Sequence, residues 1–166
     1  MSHPEGRLRV LLRTLVPYHR TMTIRRMDRV GIVVDDLEAA TAFFVGLGLE
    51  PGGGGSVEGR LLDRIVGLEG ARTDFAFVQT PDGNGRLELI KFHAPSHAAE
   101  SDPAPSHAPG IRHVALVVED IHAVVDGLRA AGVELVGELV NYQDSYWLCY
   151  VRGPEGIIVE LAEKIG

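Results

Sequence analysis

The chain has 166 residues, 45% hydrophobic and 23% charged, which suits one ordinary globular domain or two small units sharing a core. No apolar run approaches the roughly 18 residues that span a bilayer, and the single Cys149 excludes an internal disulfide. The net charge of −7 is uneven: residues 1–26 carry +5 and the other 140 carry −12, an acidic body that argues against nucleic acid as a partner.

The basic leader holds six arginines against Glu5. Its apolar stretch Val10-Leu11-Leu12 is too short for a signal-peptide core, and no small-residue cleavage site follows. Residues 1–26 are therefore expected to be a disordered tail, or to precede a biological start at Met22 or Met27. With no targeting signal in view, the default localisation is cytoplasmic.

From Arg29 to Asp35 the apolar residues alternate, which predicts a strand. Asp36 then caps a helix beginning at Leu37, with Gly46 or Gly48 as its stop. Gly52-Gly53-Gly54-Gly55 opens no helix and leads to no Lys-Ser/Thr element, so a flexible loop is expected rather than a phosphate cradle. Short strands are expected near Leu61–Ile65, Thr73–Thr80 and Arg86–Phe92, with the turn Pro81 to Gly85 before the last. Ala94 to Gly110 carries four prolines and reads as an extended linker. A second strand at His113–Val118, a cap at Asp120 and a helix Ile121–Ala131 with stop Gly132 follow. Strands Glu134–Val140, Tyr146–Arg152 and Ile157–Ala162 complete the chain, the last two joined by Gly153-Pro154-Glu155-Gly156. Cys149 falls inside a strand-like run and reads as a buried, inert thiol.

The second half repeats the first. A shift of 84 residues lays Arg29–Glu50 on His113–Glu134 with seven of 22 positions identical, among them Asp36/Asp120. A shift of 72 lays Leu87-Glu88-Leu89 on Val159-Glu160-Leu161, so the first copy carries 12 extra residues between those landmarks. The organisation is a first βαβββ module at 27–93, a linker at 94–110 and a second βαβββ module at 111–166.

Four positions correspond across the repeat: Arg29, Glu88, His113 and Glu160. Each glutamate interrupts a strand of branched apolar residues, and a charge is seldom buried there without a partner. If the two sheets face one cavity, the four side chains converge. Two carboxylates and an imidazole suit a borderline divalent cation such as Zn, Ni, Co, Mn or Fe. Arg29 can instead pair with Glu88 or Glu160, because its rigid donor fork matches a carboxylate, and His113 can be a satisfied core histidine. The loop Asn141 to Tyr146, with Tyr142, Asp144 and Tyr146, either lines the cavity mouth and contacts ligand or is a solvated turn. His93, His97, His107 and His122 are expected to be solvated.

The two β-α-β-β-β units, the openings Met27 to Leu37 and Ile111 to Ile121, and the closings Leu87-Glu88-Leu89 and Gly153 to Leu161 resemble the vicinal oxygen chelate superfamily. The resemblance covers residues 27 to 163. It implies an α+β, glyoxalase-like fold of two tandem modules, with curved, mostly antiparallel sheets around a cavity. By position it implies metal ligands at Glu88, His113 and Glu160, whereas Arg29 stands where relatives usually carry His. Its first implied function is that of glyoxalase or methylmalonyl-CoA epimerase: metal-assisted proton transfer on a small carbonyl compound or thioester, a lyase or isomerase reaction. Glu160 and Glu88 would be the proton-moving groups and Arg29, Tyr142, Asp144 and Tyr146 would contact substrate. The alternative is a metal-free small-molecule binder of the bleomycin-resistance kind, with extradiol dioxygenase a weaker third. The resemblance also implies a homodimer.

Overall fold

A computed structural model describes residues 25–96 and 103–166. The leader before residue 25 and His97 lie outside the described residues. Strand β1 (Val30–Val33) leads into helix α1 (Leu37–Gly46), then β2 (Glu50–Glu58), α2 (Arg60–Val66), β3 (Arg72–Gln79) and β4 (Arg86–Ala94). The second unit runs β5 (His113–Val117), α3 (Ile121–Ala130), β6 (Val140–Tyr142), β7 (Tyr146–Arg152) and β8 (Ile158–Lys164), with a single 3₁₀ turn at Pro154–Gly156 before β8. The strands form two four-stranded mixed sheets, in order β1-β4-β3-β2 and β5-β8-β7-β6. In each sheet the first and last strands of the unit pair in parallel at one edge, and the other pairings are antiparallel.

Both caps form as the sequence dictates. Asp36 accepts a hydrogen bond from Ala39 N at 2.9 Å, and Asp120 accepts from Ala123 N at 3.1 Å. Each helix presses its apolar residues onto one sheet face: Ala40 and Phe44 from α1, Ile121 and Val125 from α3. They join Val78, Leu89, Val151, Val159 and Leu161 in one core cluster. Burying a phenylalanine such as Phe44 contributes about 1.5–3 kcal/mol. The opposite face of each sheet is left for other uses.

Three expectations are corrected. Leu61–Ile65 is not a strand but lies in α2, where Gly67 closes the helix in the left-handed region (φ 72) and donates to Asp63 O at 2.9 Å. Leu61 and Ile65 are four residues apart on its outer side, 73% and 81% exposed, so their spacing was helical all along. The glycine run is not a loop but the middle of β2, where Gly54 and Gly55 pair with β3 after a register shift at Gly52 and Gly53. A Cβ on Gly54 would sit 2.4 Å from the Phe75 carbonyl oxygen, so glycine is what lets the two backbones approach. Glu134–Val140 is not a continuous strand: it contributes an isolated bridge from Leu135 to Val151 and the first residue of β6.

The two units are tied by a carboxylate. Glu155, in the turn before β8, accepts from Asp35 N at 2.8 and 2.7 Å and from Asp36 N at 2.6 Å, at the mouth of α1. Beside it Gly153 lies against the Phe43 ring, where a Cβ would come within 2.7 Å.

The β2–β3 contact gives a direct test. Gly54→Ala should destabilise the protein by about 1–3 kcal/mol, read as a lower urea midpoint, because backbone must shift to admit the methyl. Gly55→Ala, whose Cβ meets the Phe75 ring at an ordinary 3.5 Å, should change stability by no more than about 0.5 kcal/mol. Equal midpoints for the two variants would refute the close approach.

Candidate functional site

The parallel pairing decides which side chains meet. In the first sheet Gly31 stands opposite Glu88, and in the second Ala115 stands opposite Glu160. Two residues before each small residue, on the same face by the strand's alternation, come Arg29 and His113. The contacts follow: Arg29 Nε donates to Glu88 Oε2 at 2.6 Å, and His113 Nε2 lies 3.3 Å from Glu160 Oε2. Both glutamates are mostly covered, with side chains 21% and 22% exposed.

The first pair is an ion pair. Arg29 also donates to Asp28 at 2.9 Å, and Asp28 is held in turn by Arg26 at 2.6 Å. The hydrogen bond to Glu88, then that to Asp28, raises the Arg29 pKa above its ordinary value, so the guanidinium is permanently charged. Phe77, directly across from Glu88, lies under both Arg29 and Arg86, whose Cζ atoms are 5.7 and 4.0 Å from the ring centroid. Phe75 meets Phe77 edge-on at 5.2 Å and extends the aromatic floor.

The second pair is an acid–imidazole–phenol set. Tyr150 is directly opposite Glu160, and its ring lies 5.0 Å from that of His113. Desolvation first, and the negative charge of Glu160 second, push the Tyr150 phenol above its usual pKa of 10.0. His113 is 37% exposed at its side chain, so it is not a core histidine.

Tyr146 and Tyr142, paired across β6 and β7, stand on the same face as Tyr150 by alternation. Asp144 sits at the tip of the hairpin, where Gln143 and Asp144 take φ of 55° and 53°. Its N–H donates to Asn141 Oδ1 at 2.8 Å and its carboxylate accepts from Asn141 Nδ2 at 3.0 Å, so Asp144 is occupied with its own turn.

Glu88, His113 and Glu160 therefore stand as members of two separate pairs on two sheets. Among the described residues no three His, Cys, Asp or Glu side chains gather in a way that would hold a metal ion. The donor chemistry agrees: a divalent cation at Glu88 would have to displace a guanidinium or sit beside its fixed charge. In this arrangement the residues do not fit a three-ligand centre. Arg29 touches Glu88 and not Glu160.

Three groups of side chains were missed in the sequence. Ser56 donates to Asp74 Oδ1 at 2.5 Å and His93 Nε2 meets Asp74 Oδ2 at 2.7 Å, so His93 is paired rather than simply solvated. Aspartate stands between serine and histidine there, which leaves the hydroxyl spent on a carboxylate and not on a base. His122 packs edge-on against Trp147 at 4.8 Å. Arg86 on Phe77 is the third, and nothing in the linear spacing marks it. Cys149 is buried, and burial raises its thiol pKa, as expected of an inert cysteine.

The fold and its matched pairs define a glyoxalase-like protein. The sequence profile of the Glyoxalase/Bleomycin resistance protein/Dioxygenase superfamily matches residues 28–150, and the chain belongs to that superfamily. Among solved structures it is similar to a glyoxalase family protein from Bacillus cereus, with 44% identity, a TM-score of 0.83, and coverage of 87% of this chain and 97% of that one. A glyoxalase family protein from Enterococcus faecalis shares 24% identity and a TM-score of 0.57 over 86% and 100% of the two chains. A mutant of the fosfomycin resistance protein FosX from Listeria monocytogenes, complexed with Mn(II) and 1S,2S-dihydroxypropylphosphonic acid, shares 14% identity and a TM-score of 0.56 over 84% and 90%. Those last two likenesses show the fold alone. No curated protein matches the chain.

The charge on Glu160 has a measurable signature at Tyr150. Glu160→Gln should lower the midpoint of Tyr150 ionisation while leaving it above 10.0, since desolvation remains. Ultraviolet difference titration, with Tyr150→Phe to assign the signal, reads this. An unmoved midpoint would mean that the carboxylate does not act on the phenol.

Proposed function

We propose that this chain is a small-molecule-binding member of its superfamily, using the sheet faces that carry Arg29–Glu88 and Glu160–His113, without a metal at the first pair. The observation that supports this is the 2.6 Å ion pair between Arg29 and Glu88, which places a fixed cation where relatives usually carry a histidine. Two arginines over an aromatic floor in the first sheet, and Tyr142, Tyr146 and Tyr150 in the second, are surfaces suited to an organic ligand. The same reading includes a homodimer, supported by exposed apolar side chains at Val33, Val117, Leu61 and Ile65.

A second reading is favoured by one observation, the largely covered Glu160 with His113 and Tyr150 beside it. Here the protein moves a proton on a small carbonyl compound or thioester. Glu160 accepts the proton from the carbon beside the carbonyl, and His113 orients the carboxylate. Tyr150, kept protonated, offers a hydrogen bond to the oxygen on which charge develops.

Metal content decides the first point. Protein purified without tag or chelator should hold well under one transition metal per chain by plasma mass spectrometry, and Arg29→His should raise that content. About one Mn, Fe, Co, Ni or Zn per wild-type chain, lost in Glu88→Gln, would overturn the metal-free reading of the first pair. Deuterium exchange from D₂O into a panel of ketones and thioesters tests the second reading. Exchange that falls by about 10²–10⁴-fold in Glu160→Gln supports proton transfer, and exchange indifferent to Glu160 removes it.

A further inference from the structure

We propose that Arg86, standing on Phe77, is an anion-binding residue that takes the carboxylate of a small, planar, apolar ligand. This rests on the reading that the open face of the first sheet binds a ligand, and it names the class.

The placement follows from the strand register and the contact of Arg86 with Phe77. Arg86 and Glu88 share a face of β4 by alternation, and Glu88 stands opposite Phe77. The Arg86 Cζ lies 4.0 Å from the centroid of the Phe77 ring, a close cation–π contact, and Arg29 reaches the same ring from Glu88's side.

The two arginines differ in what neutralises them. Arg29 is bonded to Glu88 and Asp28. Arg86 has no ion-pair partner among the described residues, and its Nε is shielded from solvent with no acceptor. The local charge count also falls short. Arg26, Arg29 and Arg86 face Asp28 and Glu88, which leaves one positive charge on a protein whose net charge is −7. One monoanion restores neutrality, whereas a phosphate dianion overshoots it.

Shape points the same way. Gly55 lies directly across from Phe75, where a Cβ would rest 3.5 Å from the ring, and its hydrogen leaves that part of the floor bare. Phe75 and Phe77 then offer apolar surface with a guanidinium at one edge. The terminal nitrogens of a guanidinium match both oxygens of a carboxylate.

Benzoate is the probe, titrated into the full chain and followed by calorimetry, with benzyl alcohol as its neutral analogue and inorganic phosphate as the competing anion. Benzoate should bind the wild type, weaken by about tenfold or more in Arg86→Gln, and weaken less in Arg86→Lys, which keeps the charge but not the two-pronged contact. Benzyl alcohol should be insensitive to Arg86→Gln. Thermal unfolding establishes that each variant is folded, and Arg86→Lys keeps the charge should Arg86→Gln not fold. Benzoate affinity unchanged in Arg86→Gln, or no benzoate binding to the wild type, overturns the proposal. Phosphate bound through Arg86 in place of benzoate overturns the carboxylate assignment. A metal-loaded wild type that still needs Arg86 for benzoate would remove the metal-free reading and leave this one standing. Benzyl alcohol and benzoate bound equally by the wild type, neither affected by Arg86→Gln, would do the reverse.

Discussion

Everything at the two candidate pairs depends on one constraint, the parallel register between the first and last strand of each unit. Parallel strands in register put a residue on the same face as those two places before and after its partner. Gly31 opposite Glu88 brings Arg29 to that glutamate, and Ala115 opposite Glu160 brings His113 to the other. The residues at the crossing are small, so nothing stands between the long side chains that reach over them. A slip of one residue would send both glutamates into the hydrophobic core behind the sheets. The core residues on either side of each glutamate, Leu87 and Leu89 or Val159 and Leu161, are buried and prevent that slip.

Given one register, the two units differ by what occupies the first position. Histidine beside Glu160 keeps a ring whose nitrogens can each donate or accept a hydrogen bond. Arginine beside Glu88 replaces that flexibility with a permanent charge, further anchored by Asp28. Duplication thus produced two geometrically equivalent places with unlike chemistry. An exposed ion pair contributes only about 0–1 kcal/mol, so Arg29 is better understood through what it does to the charge of the surface than through stability.

Much of this was legible in the sequence. Period-two alternation around Val30 and Val114, the aspartate caps and the Glu88/Glu160 match located the parallel strand pair of each sheet and the helices α1 and α3. The family resemblance was legible for the same reason. The glycine run was misread because its strand character comes from a neighbour: only the approach of Phe75 and its carbonyl shows why side chains are absent there. Leu61 and Ile65 were misread because a short exposed helix and a short strand leave similar traces in five residues. Arg86 escaped notice because no repeat marks it, and a cation that stacks on an aromatic from another strand has no linear signature. The pairing of Arg29 with Glu88 was one of two open alternatives, and strand register chose between them.

The link made by Glu155 has a further implication for how the molecule opens. The amides of Asp35 and Asp36 belong to the first unit, but their acceptor belongs to the second. Breaking these bonds requires the halves to part or the turn at Glu155 to lift away. Fluctuations of the sheets away from that turn leave them intact. Two backbone protons near the start of α1 thus act as a built-in gauge of the joint, separate from the breathing of each sheet.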